Sequence, residues 1–145
     1  MLTIEKIKKK FEYIKSDEME FYGGEWEHEL QKTRAELFFN AENKVLFPEQ
    51  IDSLNWMNEH YSMLAKEAGD YIDIEIRKSG KVNAHKVYNA TIEFDIITVS
   101  LPNKEYDIEI NCSKSIGNFF RKEIFYTVML IKDKKILSIE KNWID

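Results

Sequence analysis

Hydrophobic and polar residues alternate with a period of two near the start of the chain. Within residues 10–22, apolar positions recur at every second residue on both sides of the polar segment 15–18, which predicts two short strands joined by a turn. Gly23 and Gly24 are expected to break this pattern. Residues 33–40 alternate again and predict a third strand.

A helical period replaces the alternation after Pro48. Proline suits the first helical position because its missing N–H is not needed there, and Glu49 places negative charge at the positive end of the helix dipole. Apolar residues then follow at steps of three and four as far as Ala68, which predicts an amphipathic helix lying on the core. We expect Gly69 to end or break this helix.

The periodicity of residues 70–77 is ambiguous. Ile72, Ile74 and Ile76 alternate with charged residues, as they do in a strand. Ile72 and Ile76 also continue the i, i+4 row of the preceding helix. The residues themselves therefore leave both a strand and a helix open.

The C-terminal part of the chain predicts two hairpins. Residues 91–101 and 104–111 flank Pro102 and Asn103, a pair typical of turns. Residues 123–131 are apolar on both faces, which is typical of a central strand.

The dipeptide Asp133-Lys134 then predicts a turn into residues 135–144. If Lys132 lies opposite Lys135, regular pairing brings Leu130 to Leu137 and Val128 to Ile139.

Composition limits the class of protein. The chain has 145 residues, 43% of them hydrophobic and 32% charged, which predicts one globular domain spanning 1–145. Asp and Glu number 26 against 21 Lys and Arg, and a net charge of -5 disfavours binding to nucleic acid. No apolar run approaches the length of a membrane helix, so we expect no membrane partner. A single cysteine, Cys112, favours a reducing compartment and hence a cytoplasmic location.

The residue types that carry catalysis are scattered. His28, His60 and His85 lack the short spacings of metal ligands, and no nucleotide-binding motif is present. A lone cysteine such as Cys112 is usually a small buried hydrophobic residue rather than a nucleophile. We therefore expect no catalytic residues, metal or cofactor.

Carboxylates are concentrated in the first hairpin. If its loop has three residues, strand alternation places five of them on one face and leaves Ile96 pointing inward. Ile97 and Val99 break that pattern unless a bulge intervenes. The five form a candidate site for a basic partner, and the competing interpretation is a solvated face balanced by lysines. The predicted carboxylates are Glu93, Asp95, Glu105, Asp107 and Glu109.

Trp56 is the remaining candidate contact residue. It lies off the middle of the apolar stripe of the predicted helix, which suggests partial exposure. Packing at the edge of the helix is the alternative role for this side chain.

The order of these elements resembles small uncharacterised bacterial domains, some of which occur beside polymorphic toxins where immunity proteins are encoded. The resemblance rests on the Gly-Gly-Glu-Trp-Glu segment 23–27, on Pro-Glu-Gln-Ile at 48–51, and on Asn58 and Tyr71. It implies that residues 70–77 continue the helix after a kink at Gly69.

The sequence thus predicts an α+β domain, with an antiparallel sheet of six or seven strands and one long, kinked helix on one face. Two functions remain open. The first is a non-enzymatic protein-binding domain, such as an immunity or antitoxin protein that uses an acidic sheet face. The second is a small enzyme or ligand-binding domain with a pocket between helix and sheet.

Overall fold

A computed structural model describes residues 2–80, 91–117 and 122–143 of the chain. These residues form an α+β fold. The helices are α1 (Ile4–Lys10), α2 (Pro48–Glu59) and α3 (Tyr61–Ser79). The strands are β1 (Glu12–Lys15), β2 (Glu20–Trp26), β3 (Ala35–Asn40), β4 (Ile92–Val99), β5 (Ile108–Gly117), β6 (Lys122–Lys132) and β7 (Lys135–Lys141).

The seven strands form one sheet in the order of the sequence, from β1 to β7. Neighbouring strands are antiparallel except for β3 and β4, which pair in parallel. The prediction of a purely antiparallel sheet is therefore wrong at this pair. The reason is that α2 and α3 carry the chain from the end of β3 back to the start of β4, as a parallel connection requires.

All three helices pack on the same face of the sheet. Ile7 of α1, Leu54 and Met57 of α2, and Leu64 and Ala68 of α3 are buried in one core with side chains from the strands. We call this side the core face and the opposite side the outer face. No element among the described residues packs on the outer face.

The long helix predicted from Pro48 is two helices. The first ends at Glu59 and the second begins at Tyr61, with His60 between them. A ring nitrogen of His60, Nδ1, lies 2.8 Å from the carbonyl oxygen of Trp56, so the side chain contacts the backbone at the break. The apolar stripe continues through both helices, which is why periodicity does not reveal the interruption.

Gly69 neither ends nor breaks α3. The helix runs through it and ends at Gly80, whose φ of 68° is the left-handed conformation that commonly terminates helices. Residues 70–77 are therefore helical, and Ile72 and Ile76 are completely buried.

Gly23 and Gly24 lie inside β2 rather than ending it. A Cβ at Gly24 would be 2.8 Å from three ring atoms of Phe11, so the ring occupies the space that a side chain would need.

Helix α1 contains the N-terminal lysines. Its N-cap residue, Thr3, accepts a hydrogen bond from the N–H of Lys6. At seven residues, α1 is too short for a clear period.

Two β-bulges change the registers that the sequence predicts. In β4, Asp95 is the extra residue between Phe94, opposite Cys112, and Ile96, opposite Asn111. Ile97 is buried as a result, whereas Ile96 lies on the outer face and not inside as expected.

The β6–β7 hairpin is confirmed, with Lys132 opposite Lys135. A bulge at Leu137 then shifts the pairing by one residue. Leu130 faces Ser138 and Val128 faces Glu140, so the predicted apolar pairs do not form.

Candidate functional site

The five carboxylates predicted as one acidic face are not brought together. Because β4 ends at Val99 and β5 begins at Ile108, Glu105 and Asp107 lie in a longer loop rather than on a strand face. Asp107 is bound within the fold. Its Oδ1 lies 3.3 Å from the ammonium of Lys132, and its Oδ2 accepts a 2.8 Å hydrogen bond from the N–H of Asp133. Asp107 therefore fastens the β6–β7 turn to the preceding loop.

Of the other predicted carboxylates, Glu93 and Asp95 of β4 lie close enough for their charges to interact, whereas Glu109 lies on β5. Asp95 is half-buried at the bulge, and burial raises the pKa of its carboxyl, against a smaller opposing effect of a hydrogen bond with Ser113, while the charge of Glu93 adds to the rise. Glu93 accepts a 2.7 Å hydrogen bond from the hydroxyl of Thr33. Glu109 lies on the outer face of β5, opposite Thr98.

Trp56 is half-buried and packs against the core. Its ring stacks on His60 with 4.6 Å between the ring centroids. Trp56 therefore packs at the edge of α2. A role for Trp56 in contacting a partner stays a prediction.

The outer face carries a different set of glutamates. One row of paired residues crosses five strands, from Glu36 to Ile96, Asn111, Val128 and Glu140. With about 4.8 Å between neighbouring strands, the two ends of this row are about 19 Å apart. The row therefore has a carboxylate at each end and partly apolar residues between.

A second row runs beside the first. It contains Phe38, Thr98, Glu109, Leu130 and Ser138. Glu109 thus adds a third carboxylate next to the apolar residues of both rows. We call these ten residues the outer patch.

The outer patch has a uniform sign of charge. It contains three glutamates and no Lys or Arg, and none of the three makes an ion pair within the part of the chain that the structure describes. Cations border the outer patch on both sides: Arg34 bonds Glu25, the β2 partner of Glu36, and Lys135 lies opposite Lys132, which bonds Asp107.

Exposed apolar side chains extend the outer patch along β6. Ile124 is 50% exposed and Tyr126 is 44% exposed. Both lie on the outer face, opposite Ser115 and Ser113 respectively.

Sequence reasoning missed Glu36 and Glu140 as members of this surface. Alternation in residues 33–40 does put Glu36 and Phe38 on one side of β3, which was the available signal. The bulge at Leu137 turns Glu140 toward the outer face, and that bulge has no signature in the sequence.

A cleft opens on the opposite side of the sheet, between α3 and the strands β4 and β5. It has a volume of about 370 Å³. Its lining includes Tyr61, Lys66, Gly69, Ile92 and Lys114. The alternative function, a small enzyme or ligand-binding domain with a pocket between helix and sheet, stays a prediction, and this cleft is where such a pocket would lie.

Lys114 is the unusual side chain of this cleft. It projects from the core face of β5, opposite Ile92 in β4 and Phe125 in β6, and its side chain is only 8% exposed. Its ammonium lies 2.7 Å from Oδ1 of Asp73 on α3. The signal in the sequence was a lysine at an inward position of an otherwise apolar alternation, between Cys112 and Ile116.

Two other titratable groups near the cleft, the Tyr61 hydroxyl and the Cys112 thiol, belong to buried residues. Burial raises the pKa of Tyr61 to about 12, and its hydroxyl donates a 3.1 Å hydrogen bond to Oε1 of Gln31. Burial also raises the pKa of the Cys112 thiol, which disfavours the thiolate that nucleophilic attack needs.

Gln31 is a buried polar residue with a structural role. Its Oε1 accepts a 2.8 Å hydrogen bond from the N–H of Phe94, and its Nε2 donates a 2.8 Å hydrogen bond to the carbonyl of the same residue. The amide thus pairs with β4 as a neighbouring strand would.

Neither a metal centre nor a membrane helix is found in the described ranges. Within residues 2–80, 91–117 and 122–143, no three His, Cys, Asp or Glu side chains cluster closely enough to hold a metal ion. No helix in these ranges combines the length and the apolar character needed to cross a membrane.

Comparison with known proteins gives no relative. No family model, no curated protein and no solved structure matches this chain.

Proposed function

We propose that this protein is a non-enzymatic protein-binding domain that receives a basic partner protein on its outer patch. The observation that carries the proposal is the placing of Glu36 and Glu140 at the two ends of the outer patch and of Glu109 on its middle strand, each beside exposed or half-buried apolar residues. Protein interfaces commonly combine apolar contact area with polar and charged groups.

The apolar residues supply the reason for association. Ile96 and Leu130 lie on β4 and β6, the strands that flank the middle strand of the outer patch, and no described element covers them. Burying such side chains against a partner removes apolar surface from water, which contributes about 25 cal/mol for each Å².

The glutamates supply the preference for a basic partner. Three carboxylates without a described cation repel one another weakly, and lysine or arginine side chains of a partner would offset that repulsion. Complementary charge of this kind raises the association rate and disfavours acidic partners.

The biological role that we propose is neutralisation of a basic toxin, as an immunity or antitoxin protein does. The resemblance of the element order to domains encoded beside polymorphic toxins supports it.

Site-specific photo-crosslinking in the native host tests the proposal. A photoreactive residue at Thr98, in the outer patch, should capture a basic protein, whereas the same residue at Glu67 on α3 should not. Capture of the same protein from both positions, or of an acidic protein at Thr98, would contradict the proposal.

The captured partner is then purified for binding measurements. Ile96→Ser should accelerate its dissociation, because the substitution removes apolar contact area from the outer patch. An unchanged dissociation rate for this variant would show that the patch is not the interface.

A further inference from the structure

Two features that cost stability meet at the floor of the cleft. Gly69 lies in the middle of α3, where glycine is less favourable than alanine. A Cβ at this position would be 3.5 Å from Cγ1 of Ile92 and 3.8 Å from Nζ of Lys114, which are ordinary contact distances. Crowding therefore does not require a glycine here. The missing side chain instead leaves space beside the ammonium of Lys114.

Lys114 is the second costly feature. Replacing a buried ion pair by apolar residues is often neutral or stabilising, so packing does not require a lysine at this position either. An ammonium has three N–H donors. Among the described residues, Lys114 donates a hydrogen bond to Asp73 alone. An acceptor group in the cleft would satisfy the remaining donors.

We propose that this cleft binds a small organic monocarboxylate, with its acidic group on the ammonium of Lys114. The proposal is independent of the partner surface, which lies on the opposite face of the sheet. A volume of about 370 Å³ is at the lower end of the range for small-molecule sites.

The composition of the cleft selects the chemical class. Leu30, Ala65 and Ile92 provide an apolar wall for a short hydrocarbon chain. Asp73 is bonded to Lys114, and Asp70 at the rim is bonded to Lys66. These two carboxylates would repel a doubly charged phosphate more strongly than a singly charged carboxylate.

Titrating the isotope-labelled protein with butyrate, followed by amide NMR, tests the proposal. We expect saturable shifts of the Gly69, Ile92 and Lys114 signals in the millimolar range, and weaker or no saturable shifts with inorganic phosphate. Saturable binding of phosphate at least as strong as that of butyrate would overturn the proposed class of ligand. Shifts that never saturate with butyrate would overturn the site itself.

Variants assign the binding to the two residues. Gly69→Ala should raise the melting temperature and weaken butyrate binding at least threefold. Lys114→Met should abolish saturable binding, whereas Lys78→Met, at an exposed lysine of α3, should leave it unchanged. Wild-type affinity in either cleft variant would overturn the proposal.

A double variant guards against loss of folding. Lys114→Met combined with Asp73→Leu replaces the buried pair by apolar side chains and should remain folded without binding butyrate. Retention of binding by this folded double variant would show that Lys114 is not the anchor.

Discussion

The ammonium of Lys114 lies 2.7 Å from Oδ1 of Asp73, and the two side chains are 8% and 24% exposed. This pair joins the middle of the sheet to α3 in a region whose other side chains are mainly apolar, among them Ile72 and Ile116. The cost of removing water from both charges offsets much of their attraction. We therefore expect the pair to contribute little net stability to the fold and to act mainly by holding the ammonium of Lys114 in the cleft.

Breaking the pair from one side should destabilise the protein. Lys114→Met leaves Asp73 without its cation, and we expect the free energy of unfolding to fall by about 3 kcal/mol. The double variant Lys114→Met/Asp73→Leu should be within about 1 kcal/mol of the wild type, or more stable. Urea unfolding measures both. A double variant clearly less stable than the wild type would show that the pair makes a net contribution to stability.

Alanine at two glycines should have opposite effects on stability. The Cβ of Gly24→Ala would collide with the ring of Phe11, and we expect a loss of about 1–3 kcal/mol from the displaced packing. Gly69→Ala meets only ordinary contacts and should gain about 0.5–1 kcal/mol of helix stability. Thermal unfolding compares the two variants. Equal effects of the same sign would contradict the packing described at these positions.

Glu20 should make stability depend on acid pH. Its carboxylate accepts hydrogen bonds from the backbone N–H groups of Lys44 and Asn43, and these bonds, that of Lys44 first, lower its pKa below 4.5. A lowered pKa in the folded state means that the contribution is present above about pH 4.5 and is lost as the pH falls through the folded value. Melting temperatures of the wild type and Glu20→Gln should therefore converge in acid. A constant difference down to pH 2 would contradict this role.

Asp95 should make the stability depend on pH in the direction opposite to that of Glu20. Burial is the main cause that raises its pKa above 3.8, so the folded state holds this proton more tightly than the unfolded state. Its favourable contribution is then present at pH values below 3.8 and is lost as the pH rises through the folded pKa. The wild type should lose stability relative to Asp95→Asn over this interval. If the wild type became more stable relative to Asp95→Asn as the pH rises, this role of Asp95 would be contradicted.

Local patterns of the sequence predict most of the elements. Pro48 and the spacing of Leu54, Leu64 and Ala68 locate the helical region because both helices bury one continuous stripe. The turn at Asp133 and Lys134 is also predictable, since both residues adopt positive φ values of 51° and 60° that a tight hairpin turn needs.

What the sequence does not predict depends on neighbours that are distant along the chain. The bulge at Asp95 is defined against Cys112 and Asn111 on the next strand, and it decides which side chains of β4 face outward. The parallel pairing of Glu36 with Ile96 likewise follows from the path of two helices rather than from either segment. These pairings bring Glu36 and Glu140 to the outer face with Glu109, a grouping that the local pattern of the sequence does not predict.

The rate of association with the captured partner, measured at several salt concentrations, tests the central proposal most directly. The triple variant Glu36→Lys, Glu109→Lys, Glu140→Lys should associate on the order of tenfold more slowly than the wild type at low salt. The difference should shrink as the Debye length falls from about 10 Å at 0.1 M salt to about 3 Å at 1 M. The control variant Glu18→Lys, Glu59→Lys, Glu67→Lys changes the net charge equally at exposed positions away from the outer patch, and it should associate at nearly the wild-type rate. Equal slowing in both triple variants, or none in either, would contradict binding of a basic partner at the outer patch.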